Sequence, residues 1–345
     1  MKDHIHPPVG IDVSKKTLDV QLGTTPKNKR LRHRFANEEA AFADLLRWMQ
    51  EQGYGEAHVC LEATGTYSDA ITLFLHEHGL CVSVLNPARV AAFRKSEGII
   101  NKTDAIDAYV LALFCQQKQP LAWQPKPEHT QQMQVLLARL EQLKQNGVQE
   151  SNRLENHRLD AQTRQEIGEH LAYLHRCIQQ TQERVVALVK EHERLQHDCE
   201  HLVSVKGIGL GSAIFFLGEI GDVSTFASAR NLAAFWGVVS KKTSSGTSVQ
   251  KKERLSKQGS PLARKRLYLC ALSAMRSDPD VQRWAAELRA KGKPGQVIVV
   301  AVMRKLVHII YGILKSGQAY DRAKAWPQYA TTPVPLDIQQ EVQAA

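Results

Sequence analysis

The chain has 345 residues, 43% hydrophobic and 23% charged, enough for two or three domains with sizeable cores. Its 45 Lys+Arg against 35 Asp+Glu leave a net charge of +10 and a pI near 9.3, which points to an anionic partner, nucleic acid being the commonest. Six cysteines (Cys60, Cys81, Cys115, Cys177, Cys199, Cys270) form no C-x-x-C pair and show no zinc spacing, which excludes a disulfide framework and implies reduced, mostly buried thiols in a cytoplasmic protein.

The opening M-K-D-H-I-H-P-P has no apolar core and does not read as a signal peptide. Val9 to Leu22 reads as two strands around a tight turn. Asp12 lies in the first of them between Ile11 and Val13, where an acid is unfavourable to bury unless something pairs with it. A third strand follows around Leu31 to Phe35. Glu38 to Met49 has helical periodicity, with Phe42, Leu45, Leu46 and Met49 on one stripe. Ala57 to Leu61 is a short buried strand that ends at Glu62, and A-T-G-T-Y turns the chain into the next helix. Leu80 to Leu85 is another strand, stopped by Asn86-Pro87. The helix that opens in N-K-T-D-A-I-D-A (Asn101 to Ala108) runs on through Leu111, Leu113 and Phe114. Strands alternating with helices predict an α/β layer fold with the first strand central.

Asp104 and Asp107 are three residues apart, so a helix puts both carboxylates on one face. One reading is a solvated helix start, capped by Asn101, with acids favoured by the helix dipole. The other is a Mg²⁺ site, because a hard divalent cation takes paired carboxylates and shares them with phosphate oxygens. In open α/β sheets, sites gather at the carboxyl ends of strands. Asp12, Glu62, Asp104 and Asp107 could therefore converge on one centre, where two metals about 3.5–4 Å apart would clamp a phosphodiester.

Pro120 to Pro127, with Trp123, is a linker signal. From Glu128 to Val203 the chain is rich in Gln, Glu, Arg, Lys and Leu and has no proline. Leu136, Leu140, Leu143, Val185, Leu188 and Leu195 fall at roughly helical spacing, which predicts two long helices: a coiled-coil hairpin, a dimer arm or a plain spacer. Leu202 to Gly221 places glycines at 207, 209 and 211 before an apolar helix. Gly207 and Gly209 read either as a helix-hairpin-helix, with backbone N–H groups on a nucleic-acid phosphate, or as a tight turn between core helices. An apolar helix over Phe226 to Val238 follows.

Val238 to Tyr268 contains nine basic residues and one acid, Glu253. The nine are Lys241, Lys242, Lys251, Lys252, Arg254, Lys257, Arg264, Lys265 and Arg266, and with Lys102 they are the candidate nucleic-acid contacts. Within the stretch sits S-S-G-T-S, a basic loop that either clamps a phosphate backbone or supplies a serine nucleophile beside neutralising cations. Ser244, Ser245 and Ser248 are all available for that role. Pro261 to Arg276 and Pro294 to Ser316 read as helices. The longest apolar run, Val297 to Met303, is too short to span a bilayer, so no membrane is expected. Residues from Thr331 read as a tail.

Six motifs in this order (G-I-D-V-S-K, L-E-A-T-G-T-Y, N-P-A, N-K-T-D-A-I-D-A, G-I-G, S-S-G-T-S-V) resemble the DEDD-type insertion-sequence transposases, the bridge-RNA-guided serine recombinases of insertion-sequence family 110. The resemblance runs from Val9 to about Tyr320. It implies an N-terminal RuvC-like, ribonuclease-H-type α/β domain (1–120) that holds Mg²⁺ on Asp12, Glu62, Asp104 and Asp107. It further implies a linker and long coiled-coil arm (121–200), and a mainly helical C-terminal transposase domain with a helix-hairpin-helix (201–330), followed by the tail (331–345). Ser245 matches the family's catalytic serine, which would form a phosphoserine link with DNA before strand exchange. The implied partners are donor and target double-stranded DNA, a structured noncoding bridge RNA, and further copies of the chain in a dimer or tetramer with a composite site.

Three other functions compete. A metal-only RuvC-like nuclease or Holliday junction resolvase would use water as nucleophile and leave Ser245 structural. G-I-D-V-S-K also resembles the first phosphate loop of sugar-kinase and actin-like ATPases, but a second Gly-rich phosphate loop and an adenosine loop are not found in the sequence. A non-catalytic RNA- or DNA-binding scaffold would need only the arm and the hairpin.

Overall fold

The structure, a computed structural model, describes residues 6–25, 29–101, 103–245, 249–256 and 259–329, with backbone alone at 29, 240–245 and 249–254. Lys102, Lys257, Ser248 and the expected tail lie outside the described residues. The chain divides into two compact units, residues 1–125 and 126–345.

In the first unit the period-2 alternation of Val9, Ile11 and Val13 builds β1 (Pro8–Val13), and a Ser14–Thr17 turn returns the chain as β2 (Thr17–Leu22). β3 (Arg32–Ala36) extends the sheet on that side. After α1 (Glu39–Glu51), β4 (His58–Glu62) pairs parallel with β1; after α2 (Asp69–Glu77), β5 (Cys81–Leu85) pairs parallel with β4. The order β3-β2-β1-β4-β5 makes β1 central, as the alternation predicts. Phe42, Leu45 and Met49 of α1 and Ile71 and Leu75 of α2 pack on Val9, Ile11 and Leu61, closing one face.

The other face is covered by α3 (Pro87–Ser96) and α4 (Asp104–Lys118), through Val90, Phe93, Val110, Leu111, Phe114 and Cys115. Asn86-Pro87, expected to stop a strand, also starts α3: Asn86 Oδ1 accepts from Ala88 N (2.8 Å), and Pro87 needs no partner for a missing N–H at a helix start. The cap of α4 is Thr103, whose Oγ1 accepts from Ile106 N (3.3 Å), and not Asn101 as expected. Gly10 fixes the depth of α4, because a Cβ there would run into the helix backbone at Ala108 and Ala112. No side chain therefore separates the helix from β1, and its first turn comes down beside Asp12.

In the second unit α5 (Glu128–Leu154) and α6 (Ala161–Glu191) form the expected pair of long helices, packed antiparallel along Leu140, Leu143, Leu174, Val185 and Leu188. Glu150, 8% exposed, lies in the seam and accepts from Arg153 Nη1 (2.6 Å) and His170 Nδ1 (3.0 Å), which joins the two helices by a polar tie. α7 (Glu193–Val203) and α8 (Leu210–Ile220) follow, then α9 (Ala229–Phe235). The basic segment, expected as a loop, contains two strands, β6 (Ser240–Ser245) and β7 (Val249–Leu255), paired antiparallel. α10 (Pro261–Ser277), α11 (Pro279–Ala290), α12 (Gly295–Ser316) and α13 (Arg322–Ala325) complete the unit; α11 was not anticipated. α12 is long and apolar enough to cross a membrane, although its longest uninterrupted apolar run is not. Half of that stretch is buried in the protein, with Val302, Leu306 and Ile310 in one core with Trp236 and Trp326.

Candidate active site

Strand register collects the acids. Asp12 on β1 stands opposite Asp19 on β2, and Asp19 stands opposite Arg34 on β3. Glu62 closes β4, and α4 delivers Asp104 and Asp107 in its first turn. Asp12 is pushed up to about 6 by burial first, then by Asp107, Asp104, Asp19 and Glu62 in that order. All four acids singled out from sequence therefore share one electrostatic site, and Asp19 is a fifth that sequence reasoning missed.

Two arginines balance part of this charge. Arg34 Nε donates to Asp19 Oδ1 (2.9 Å) and Oδ2 (3.1 Å), while its Nη2 reaches Asp104 Oδ2 (3.1 Å). Arg94, from the unanticipated α3, pairs with Asp107; both side chains are largely buried. The Arg34–Asp104 pair is exposed, with side chains 57% and 62% accessible, so solvent screens it and it is readily exchanged. The donor set fits a hard divalent cation: every candidate ligand is a carboxylate oxygen, and the repulsion that raises Asp12 is the repulsion such a cation relieves.

A stability prediction follows from Asp12. A folded-state value of about 6, against 3.8 for a free Asp carboxyl, means the folded chain binds this proton more tightly. The contribution is fully present below about pH 4 and is lost as pH rises through about 6. Asp12→Asn is therefore expected to stabilise the metal-free protein at about pH 8 by roughly 1 kcal/mol, after discounting for partial exposure, and to change nothing near pH 4. Urea unfolding at the two pH values checks this. In excess Mg²⁺ the order at pH 8 should reverse.

The second unit carries the other predicted residues. The base of the β6–β7 hairpin is anchored: Ser256 N donates to Val239 O (2.7 Å), and a Cβ on Gly259 would strike Phe235 O at the end of α9. Pairing brings Lys241 opposite Arg254, and Ser245 opposite Val249 at the last described step before the turn. Lys242, Lys251 and Lys252 lie on the same two strands. Arg264 donates to Gly259 O (2.9 Å) and Arg266 lies over the Phe215 ring (5.3 Å), so both brace the fold as well as adding charge. Lys265 is 71% exposed and only loosely paired, 3.9 Å from Glu141.

Gly207 and Gly209 separate. Gly207 has φ +97°, and a Cβ there would lie 2.7 Å from Ala274 Cβ and N and from Cys270 O, so close packing against α10 accounts for it. Gly209 is exposed, has open space beside it and begins α8 without a side-chain cap, which leaves helix N–H groups facing outward.

Residues 9–161 match a transposase model of the DEDD, IS110 type, and residues 199–285 match a model described as the IS116/IS110/IS902 transposase family. The pilin gene-inverting protein of Moraxella bovis is 29% identical over 317 residues, covering 91% of this chain and 97% of that protein. Its counterpart in Moraxella lacunata has the same identity and coverage. The putative transposase y4qE of Sinorhizobium fredii is 24% identical over 90% of this chain and 89% of its own length.

Proposed function

The chain belongs to the IS110-type family of insertion-sequence transposases, and from that premise we propose that it cuts and rejoins DNA by serine attack assisted by Mg²⁺ under the direction of a structured RNA. What supports the metal half is that Asp107, Asp104 and Glu62 all raise the Asp12 carboxyl, and that the close approach of α4 to Gly10 brings the helix carrying Asp104 and Asp107 down on β1. These four would hold the cation. Bound there, Mg²⁺ supplies positive charge and Lewis acidity to a phosphodiester. Arg94 keeps Asp107 in place, while the exposed and exchangeable Arg34 offsets part of the charge of Asp104.

The serine half rests on Ser245, near the turn of a basic hairpin. Its Oγ would form a bond to phosphorus, its proton would leave to solvent or a base, and a deoxyribose oxygen would depart as a hydroxyl. A serine hydroxyl is a weak nucleophile at neutral pH, so the attacked phosphate must be held and neutralised. Lys241, Lys242, Lys251, Lys252 and Arg254 bring five cations along the two strands for that purpose. The exposed N-terminus of α8 at Gly209 offers a further phosphate contact. Donor and target duplexes and a bridge RNA are the anionic partners this reading requires, with α5 and α6 as a coiled-coil arm for self-association.

The test is a quenched reaction. Denaturing the protein midway and digesting it should yield a peptide spanning Ser245 that carries nucleotide. Complete strand exchange with no nucleotide on any peptide from that hairpin would overturn the serine reading in favour of water attack.

A further inference from the structure

We propose that His58, Cys60 and Cys115 form a second metal site, a thiolate–imidazole centre for a thiophilic cation of the Zn²⁺ class, which fastens α4 to β4. The face of β4 that meets α4 carries His58, Cys60 and Glu62 in alternation, and α4 brings Cys115 against it. The ligand atoms of His58, Cys60 and Cys115 all lie within 4.8 Å of one another. The three residues are 9%, 0% and 2% exposed. Zn–S bonds of about 2.3 Å set neighbouring sulfurs roughly 3.8 Å apart in a tetrahedron, so closing on an ion needs a contraction of about 1 Å or less.

One nitrogen of the imidazole is already held by a hydrogen bond. His58 Nε2 lies 2.8 Å from Ser83 Oγ, and that hydroxyl also lies 2.8 Å from Leu121 O and 3.2 Å from Pro120 O. Both carbonyls can only accept, so the hydroxyl hydrogen goes to them and Ser83 Oγ accepts from Nε2–H. The lone pair of His58 is then on Nδ1. A ring held by its second nitrogen in this way is the usual support of a metal-bound histidine. Cys81, registered beside His58 on β5, puts a third thiol on the same sheet face, outside the group of three mutually close ligand atoms.

Softness separates this centre from the acidic one. Two sulfurs and a nitrogen in an apolar layer select a thiophilic ion and reject Mg²⁺, while Glu62, two residues further along β4, belongs to an all-oxygen set. One strand would thus serve a structural ion and a catalytic one, about 7 Å apart along its length.

The experiment titrates reduced, chelator-stripped full-length protein with Co²⁺ in excess Mg²⁺. A thiolate-to-cobalt charge-transfer band should saturate at one equivalent and be discharged by Zn²⁺, and native mass spectrometry should find one Zn²⁺ on the zinc-loaded protein. The band should persist in Asp104→Asn and vanish in the Cys60→Ser/Cys115→Ser double variant. His58→Gln, a milder change, should weaken Co²⁺ binding by at least about tenfold. The proposal is overturned by wild-type protein that shows no thiolate band in excess Co²⁺, a result that does not depend on any variant folding. A band that survives in a folded double variant would equally overturn it.

Discussion

Asp104→Asn is expected to lower DNA strand exchange by about 10²–10³-fold or more, the size of effect seen when one contact to developing transition-state charge is removed. The same change should leave metal-free stability nearly untouched. The Asp104 side chain is 62% exposed, and its ion pair with Arg34 is exposed as well. Asp107 would be a less clean choice, because its removal strands the largely buried Arg94 guanidinium without its carboxylate, and an uncompensated buried charge unfolds proteins for reasons unrelated to catalysis. The measurement pairs an exchange assay with thermal unfolding in and out of Mg²⁺. Wild-type protein should gain stability from the ion by mass action, and Asp104→Asn should gain less. Exchange within a few-fold of wild type in Asp104→Asn would remove the metal from the reaction and favour a scaffold that binds nucleic acid without cutting it.

Much of the acidic site was legible because burial makes acids conspicuous. Asp12 interrupts an apolar strand, Glu62 ends one, and Asp104 and Asp107 share a helix face. Asp19 carries the same signal, an acid between Leu18 and Val20, but its meaning depends on register: only the pairing of β1 with β2 sets it opposite Asp12. Arg34 depends on a second register, β2 with β3. Arg94 was hidden for another reason. Asn-Pro reads as a stop, yet the same dipeptide is a good helix start, and here it opens α3. The basic hairpin looks like a loop because its alternation is of polar side chains, so no apolar period marks it as strand. The thiol cluster is invisible to spacing rules, since residues 58, 60 and 115 meet only when α4 lies on β4.

Mixing two inactive proteins should restore exchange. The proposed function assigns the metal to residues of the first unit and the nucleophile to Ser245 in the second. Asp12→Ala removes one requirement and Ser245→Ala the other, and each alone should be inactive. If the carboxylates of one protomer act with the serine of another, equal mixing leaves up to about a quarter of sites with both parts intact, by random assembly of a symmetric oligomer. If both parts act within one chain, no site is intact at any ratio. The recovered activity should rise from zero in either pure variant to a maximum near equal mixing. It should also require co-refolding or slow subunit exchange if the oligomer is stable. Titration across mixing ratios, with total protein constant, separates the outcomes. Flat inactivity, after tagged subunits have been shown to co-assemble, would place acids and serine in a single protomer, and the α5–α6 arm would then need a role other than bringing the two parts together.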